Sequence, residues 1–241
     1  MSSGDASHRA TALRHAVMHD RPGLWGDDAE RPTCVVWIRP GDDGGLEAFA
    51  EGAVGSSLEW LAFEAGGRPV ALLAPASWEG AVRSMGGRVE TGVVENWVRL
   101  GDPSRRRTLG SSEIRRLGLE DAPAFEAAVP AWALRSWGDF PALMEGGAAF
   151  GFELDGDFAS LAWTYESDGE RDKIGVATLS RYRRLGLGRA VASCLIGHIE
   201  RERGMTPLWV TTPENAASRA LAGSLGFVLE RAETLLRWTP A

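Results

Sequence analysis

Lysine is all but missing from this chain: Lys173 is the sole one, and the remaining positive charge is arginine. With so much alanine and glycine, that bias reads as the imprint of a G+C-rich genome and carries no mechanism. Cysteine is scarce as well. Cys34 and Cys194 stand far apart in sequence, which excludes a disulfide framework and a zinc site. The opening MSSGDASHRATALRHAV carries no long apolar run, so the expectation is a cytoplasmic protein. No segment approaches the roughly 20 apolar residues that cross a bilayer, and no membrane partner is expected. A surplus of positive charge is also lacking: the net charge of −7 argues against a mainly nucleic-acid-binding role.

What is present is ordinary for a folded protein: 44% hydrophobic and 24% charged residues in a chain of 241. That length allows one large domain or two small ones, each with a core. Residues 1–10 read as disordered, and a helix is expected from Ala10 to Met18. Strands are expected in RPTCVVWIRP, Leu46–Ala50, Leu58–Phe63 and Val70–Ala74. ASWEGAVRSMG reads as a helix, and GRVETGVVENWVRL as two strands or a hairpin. The polar, Pro- and Gly-containing GDPSRRRTLGSS marks a linker at 103–112. It would separate an N-terminal domain, 1–102, from a C-terminal domain, 113–241.

Beyond the linker, strand and helix signals alternate, which predicts an α/β layered domain. EIRRLGL reads as a strand, EDAPAFEAAV as a helix and PAWALRSWGDFPALMEG as a broken helical stretch. AAFGFELDGDFASLAWTYESDG reads as a hairpin about DGD. KIGVATL is the next strand, Gly186–Arg203 a helix, PLWVTT a strand, NAASRALAGS a helix and GFVLERAETLLRW two final strands. There is also an internal echo. PVALLAP at 69–75 and PLWVTTP at 207–213 share two prolines at one spacing, and each precedes a helix that ends in Ser-Met/Leu-Gly.

The stretch VATLSRYRRLGLGRAV concentrates the chemistry. Gly186 and Gly188 form a G-x-G, but Val191 stands where a dinucleotide fingerprint needs its third glycine. Arg189 and Ala190 stand where a P-loop needs Lys and Ser/Thr, so both of those readings fail. What is left is a strand, a basic loop and a helix start. The first N–H groups of a helix are unsatisfied and partly positive, a ready seat for a phosphate. Glycine lets an anion come close, and Arg183, Arg184 and Arg189 add charge in a geometry that suits phosphate. Leu187, Val191, Leu195 and Ile199 form the apolar stripe that would fix this helix on a sheet.

Arg183, Gly186 and Gly188, preceded by Tyr182, resemble the central motif of the GNAT acyltransferase superfamily, Arg/Gln-x-x-Gly-x-Gly/Ala. A second block, PENAASRALAGSLGF, is similar to the family's later segment through Asn215, Ser218, Leu221, Leu225, Gly226 and Phe227. The resemblance covers about residues 112–241. It implies an α/β (α+β) fold with a mixed, splayed central sheet flanked by helices. With the internal echo, it also implies a second, smaller, degenerate GNAT-like N-terminal domain. By the same likeness the cosubstrate is acetyl-CoA, with no metal. Its pyrophosphate would lie on Arg183, Arg184, Leu185, Gly186, Leu187, Gly188 and Arg189. Its pantetheine arm would lie along Ala177, Thr178 and Leu179, and Asn215 and Ser218 would face it, Asn215 also capping its helix.

The implied reaction is direct transfer of an acetyl or other acyl group to a primary amine of a small molecule or peptide. An alkylamine has a pKa of about 10.4, so roughly one molecule in a thousand is neutral at pH 7 and a base is wanted. Asp172 is placed where several family members carry a carboxylate, and Glu166 and Glu170 are alternatives. The plain alternative for all three is a solvated turn, ESDGERD. An N–H near Leu179 would meet the oxyanion. The family's usual acid tyrosine is replaced by Ala222, which leaves open a non-catalytic CoA-binding sensor, regulator or interaction module. Cys194 and His198, four apart on a helix, read as core. Trp132 and Trp137 fall in the stretch that, in similar proteins, borders the acceptor, with Trp163 and Tyr165 on the adjoining strand. Oligomeric state is not legible.

Overall fold

The computed structural model describes residues 8–19, 22–28, 32–41, 44–99 and 113–241. The expected linker at 103–112 lies outside these, as do residues 1–7; the helix expected from Ala10 begins at His8. The chain divides into two compact units, Met1–Asn96 with Arg231–Ala241, and Trp97–Glu230. Among the described residues, no helix is long and apolar enough to cross a membrane.

The first unit holds α1 (His8–Met18), β1 (Leu24–Gly26), β2 (Cys34–Pro40), β3 (Leu46–Gly52), α2 (Ser57–Ala65), β4 (Val70–Leu73), α3 (Glu79–Ser84) and most of β5 (Arg88–Arg99). Its sheet runs β1-β2-β3-β4, then the last part of β11 (Phe227–Thr239), which pairs antiparallel with β4. Strands β3 and β4 are parallel and paired to the end of β4, from Leu46↔Val70 to Phe49↔Leu73. The apolar sides of β2, β3 and β4 close on α2 and α3 around Val36, Ala48, Leu61, Leu72 and Trp78. The Trp78 indole N–H donates to Gly52 O at 3.0 Å, tying the start of α3 to the end of β3.

Three expectations in this unit or at its border are corrected. Leu58–Phe63 is not a strand but lies in α2, whose buried positions Ser57, Leu61 and Ala65 are four apart. Short apolar runs do not distinguish the two periods until their neighbours are known. GRVETGVVENWVRL is one strand, not a hairpin. Gly92 reads as a turn, yet it sits mid-strand with ordinary extended backbone, and a Cβ there would meet only the movable end of the Arg237 side chain. GFVLERAETLLRW is likewise one strand, because Glu233 within it is buried and accepts Asn96 Nδ2 at 2.8 Å.

The second unit holds β6 (Ile114–Arg116), α4 (Ala122–Ala128), α5 (Phe140–Gly146), β7 (Ala149–Leu154), β8 (Asp157–Ser167), β9 (Arg171–Thr178), α6 (Leu187–Arg201), β10 (Thr206–Thr211) and α7 (Ala216–Ser224). The sheet order is β10-β9-β8-β7-β6, antiparallel except for the parallel β9–β10 pair. Helix α6 lays Val191, Leu195 and Ile199 on one face of the sheet, as its stripe predicts. The other face is covered by a second cluster about Phe125, Phe140, Leu143 and Trp163. This is the mixed, splayed sheet flanked by helices that the sequence implied: β9–β10 pairing stops at Leu208↔Lys173, although β9 runs on to Thr178 and β10 to Thr211.

Candidate active site

A cleft of about 1290 Å³ opens where β9 and β10 part. It exceeds the roughly 300–1,000 Å³ of pockets for drug-sized ligands, so it suits a long, flexible one. One wall is Ile174–Thr178 of β9 with Leu179 just after it, and the other Trp209–Thr211 of β10 with Thr212 just after it. The loop before α6 and the first turns of α6 and α7 complete it, with Ala128, Pro130 and Trp132 from the opposite layer.

The basic loop is built as its residue types demand. Gly186 caps α6 with φ +81°, a left-handed conformation open to glycine, and nothing lies within 4 Å of where its Cβ would be. Arg184 takes φ +67° beside it. At Gly188 a Cβ would stand 3.1 Å from Thr178 Oγ1, so the helix approaches β9 more closely than a side chain comfortably allows. Arg183 Nε donates to Thr178 O at 3.2 Å, fastening the loop to the strand end. Arg183, Arg184 and Arg189 all line the cleft, while no Asp or Glu is among its described lining residues. An acidic chain thus presents a basic cleft with an α-helix N-terminus in it, the electrostatics of a phosphate-bearing ligand.

Of the twelve residues expected to hold the cosubstrate, eleven line this one cleft: Ala177, Thr178, Leu179, Arg183, Arg184, Gly186, Leu187, Gly188, Arg189, Asn215 and Ser218. Leu185 does not; it points to solvent, 64% exposed. Asn215 caps α7 by accepting the Ser218 N–H at 3.1 Å, and the Ser218 hydroxyl accepts Trp209 Nε1 at 2.9 Å. The β10 wall went unread in the sequence. The signal for it was present, since a parallel strand following the motif helix has to flank the motif strand.

Backbone direction refines the oxyanion expectation. Leu179 N–H donates to Ala159 O at 3.0 Å, toward β8. In an antiparallel pair, alternate residues face the partner strand. Val176 and Thr178 therefore turn their N–H groups to the β10 side, into the opening, and Leu179 itself does not.

Neither Asp172 nor Glu166 lines the cleft. Asp172 is fully buried and clamped by Arg203, with Nε to Oδ2 at 2.5 Å and Nη2 to Oδ1 at 3.2 Å. Burial pushes its carboxyl above the ordinary aspartate value, and Arg203 pulls it part of the way back. Glu166, also fully buried, is paired with the Lys173 ammonium and accepts the Ser136 hydroxyl at 2.8 Å. Glu170 is exposed in the turn. The sequence could not separate these three, because a β-bulge between Thr164 and Glu166 resets which way the strand points.

Ala222 is fully buried in the α6-side core and does not line the cleft; of the two tyrosines, Tyr182 does. Of the two tryptophans expected to border the acceptor, Trp132 lines it. Trp137 is buried and donates Nε1 to Thr164 O at 2.8 Å. His198 is core, and burial pushes the Cys194 thiol up, away from reactivity.

Residues 124–235 match the family model described as GNAT acetyltransferase. Among solved structures, the chain is similar to a GCN5-related N-acetyltransferase-like protein from Streptococcus suis 89/1591, at 19% identity over 95% of this chain and 99% of that one, TM-score 0.67. It is similar to a GCN5-related N-acetyltransferase from Kribbella flavida, at 20% identity over 100% and 97%, TM-score 0.65. A tandem GNAT protein from the clavulanic acid biosynthesis pathway matches at 12% identity over 100% and 98%, TM-score 0.58. At such identities the likeness establishes the fold, and it extends over both halves of the chain. None of the curated proteins matches.

Proposed function

We propose that this chain, whose residues 124–235 belong to the GNAT acetyltransferase family, moves an acetyl group from acetyl-CoA to a primary amine of a small molecule or peptide. The observation that carries this reading is the parting of β9 from β10 beyond Leu208↔Lys173, with three arginines and the start of α6 lining the gap. Gly186, Gly188 and the loop arginines would take the pyrophosphate, and the backbone of Val176 and Thr178 the pantetheine arm. When bound, acetyl-CoA would supply the acyl group as a thioester: as the C–N bond forms the C–S bond breaks, and the sulfur leaves without a strong acid because a free thiol has a pKa of about 8.5, taking up through water the proton that the amine nitrogen gives up. The buried Ala222 in place of the family's tyrosine is therefore compatible with transfer. The Val176 N–H, the one farther from the arginine loop, would meet charge developing on the carbonyl oxygen, which leaves the Thr178 N–H to the arm.

Asp172 and Glu166 are not assigned as bases in this reading. A carboxylate shut off from the cleft and bound to a guanidinium or ammonium cannot accept a proton from an amine there. The amine enters by its own small neutral fraction. Accordingly, kcat/KM for an alkylamine is expected to rise about tenfold per pH unit from pH 6 to 9, with no plateau before the amine's own pKa of about 10.4. Initial rates of free CoA release over that range check it; a plateau near pH 6–7 would reveal a carboxylate or histidine base.

The absence of any Asp or Glu among the described lining residues also favours a second reading, a coenzyme-binding module without efficient turnover. Calorimetry with acetyl-CoA, paired with CoA release over a panel of amines, separates the two. Binding without release on every amine sinks the enzyme reading, and no binding sinks both.

A further inference from the structure

We propose that Trp132 is the wall on which the acceptor's body rests, and that the acceptor is an amine carried on a flat aromatic frame. This rests on reading the cleft as the coenzyme site. Along β9 the cleft changes character. Beyond Leu179 it is arginine-lined, whereas about five residues back, some 16 Å at 3.3 Å per residue, it is walled by Ile174, Gly175 and Trp132. The Trp163 indole lies over Gly175, where a Cβ would come within 2.5 Å of its ring. Trp132 packs on Trp163 at 5.5 Å between ring centroids and edge-on to Tyr165 at 5.4 Å.

The segment carrying Trp132 is tied down at three points. Trp163 Nε1 donates to Ala133 O at 3.1 Å, Ser136 Oγ to Glu166 at 2.8 Å, and Trp137 Nε1 to Thr164 O at 2.8 Å. The buried Lys173–Glu166 pair therefore acts as a positioning element: Glu166 holds the segment, and the Lys173 ammonium lies 5.7 Å from the Tyr165 ring. A ring so held offers a rigid π face at little entropic cost. The described lining residues include no carboxylate to pair with an ammonium, so selection falls to the amine's body, with ring-on-ring packing against Trp132 as the attraction. Flexible polyamines, which need acidic partners, do not fit this wall.

The test compares phenethylamine with n-butylamine as acceptors for wild type, Trp132→Ala and Trp132→Phe, with acetyl-CoA affinity measured on each by calorimetry. Wild type is expected to favour phenethylamine by about tenfold or more in kcat/KM. Trp132→Ala is expected to lose about tenfold on phenethylamine, mainly in KM, and to lose clearly less on butylamine, so that the ratio between the two amines shrinks; Trp132→Phe keeps most of the preference. Equal use of the two amines by wild type, or an equal fall on both in Trp132→Ala, overturns the proposal. If wild type binds no acetyl-CoA, the coenzyme reading fails first. If acetyl-CoA binds and neither amine is turned over, phenethylamine affinity of the coenzyme-loaded protein is read instead. An affinity identical in wild type and Trp132→Ala overturns the proposal there too.

Discussion

Replacing Gly188 by tryptophan is expected to weaken acetyl-CoA binding at least about a hundredfold, or some 2.7 kcal/mol. Even a Cβ at this position stands 3.1 Å from Thr178 Oγ1 and 3.6 Å from Val176 Cγ1. An indole built from it has to fill the gap between α6 and the parted strands, where the ligand would lie. Arg183→Ala is the milder companion. It removes one charge and the tie to Thr178 O, so it should cost less and make the remaining binding less sensitive to salt. Calorimetry at two ionic strengths reads both. Unchanged affinity in Gly188→Trp would place the coenzyme elsewhere.

The second large effect concerns stability. Arg203→Met is expected to destabilise the protein by about 3–5 kcal/mol, because it strands the buried Asp172 carboxylate. The same change removes the Arg203 hydrogen bond to Gly146 O at 2.8 Å. The pH dependence has a definite sign. The folded-state pKa of Asp172 is raised, so the folded state holds this proton more tightly than the unfolded chain does. Lowering pH through the interval between that raised value and the ordinary one, about 3.9, therefore favours folding. The deficit of Arg203→Met should be greatest at neutral pH and narrow as the solution is acidified toward pH 4. Adding Asp172→Asn to Arg203→Met should recover part of the loss at pH 7. Urea unfolding of wild type and the two variants checks this, and a double variant as unstable as the single one would remove Asp172 from the explanation.

These expectations show which parts of the site could be read from sequence. The arginine-lined end of the cleft was legible because its geometry is local: a loop and a helix start within one short stretch, so residue order alone brings Arg183, Gly186 and Gly188 together. The acceptor side depends on long-range geometry. Whether Asp172 and Glu166 face the cleft is set by a β-bulge in β8 and by Arg203, which lies after α6. Trp132 and Trp137 look equivalent in sequence, and only the 3₁₀ turn at Ala131–Leu134 sends one to the cleft and the other to the core. In the fold, the alternating C-terminal half was readable, whereas β5 and β11 were each cut in two. Gly92 and Glu233 carry the composition of turns while sitting in strand interiors, where neighbouring strands decide the outcome.

The two-proline echo of PVALLAP and PLWVTTP now acquires a difference. Matched at Pro69 and Pro207, Leu208 corresponds to Val70 and Thr211 to Leu73. In the second unit, pairing with the preceding strand ends at Leu208; in the first it continues through Leu73, and Trp78 reaches across to Gly52 O. The N-terminal copy is zipped where its counterpart is open, and no arginine precedes its Gly52-Ala53-Val54-Gly55 turn as Arg183 and Arg184 precede Gly186. The coenzyme is therefore expected at the second unit alone. A calorimetric titration is expected to reach equivalence at about one acetyl-CoA per polypeptide, and a stoichiometry of two would mean that the first copy unzips to admit another.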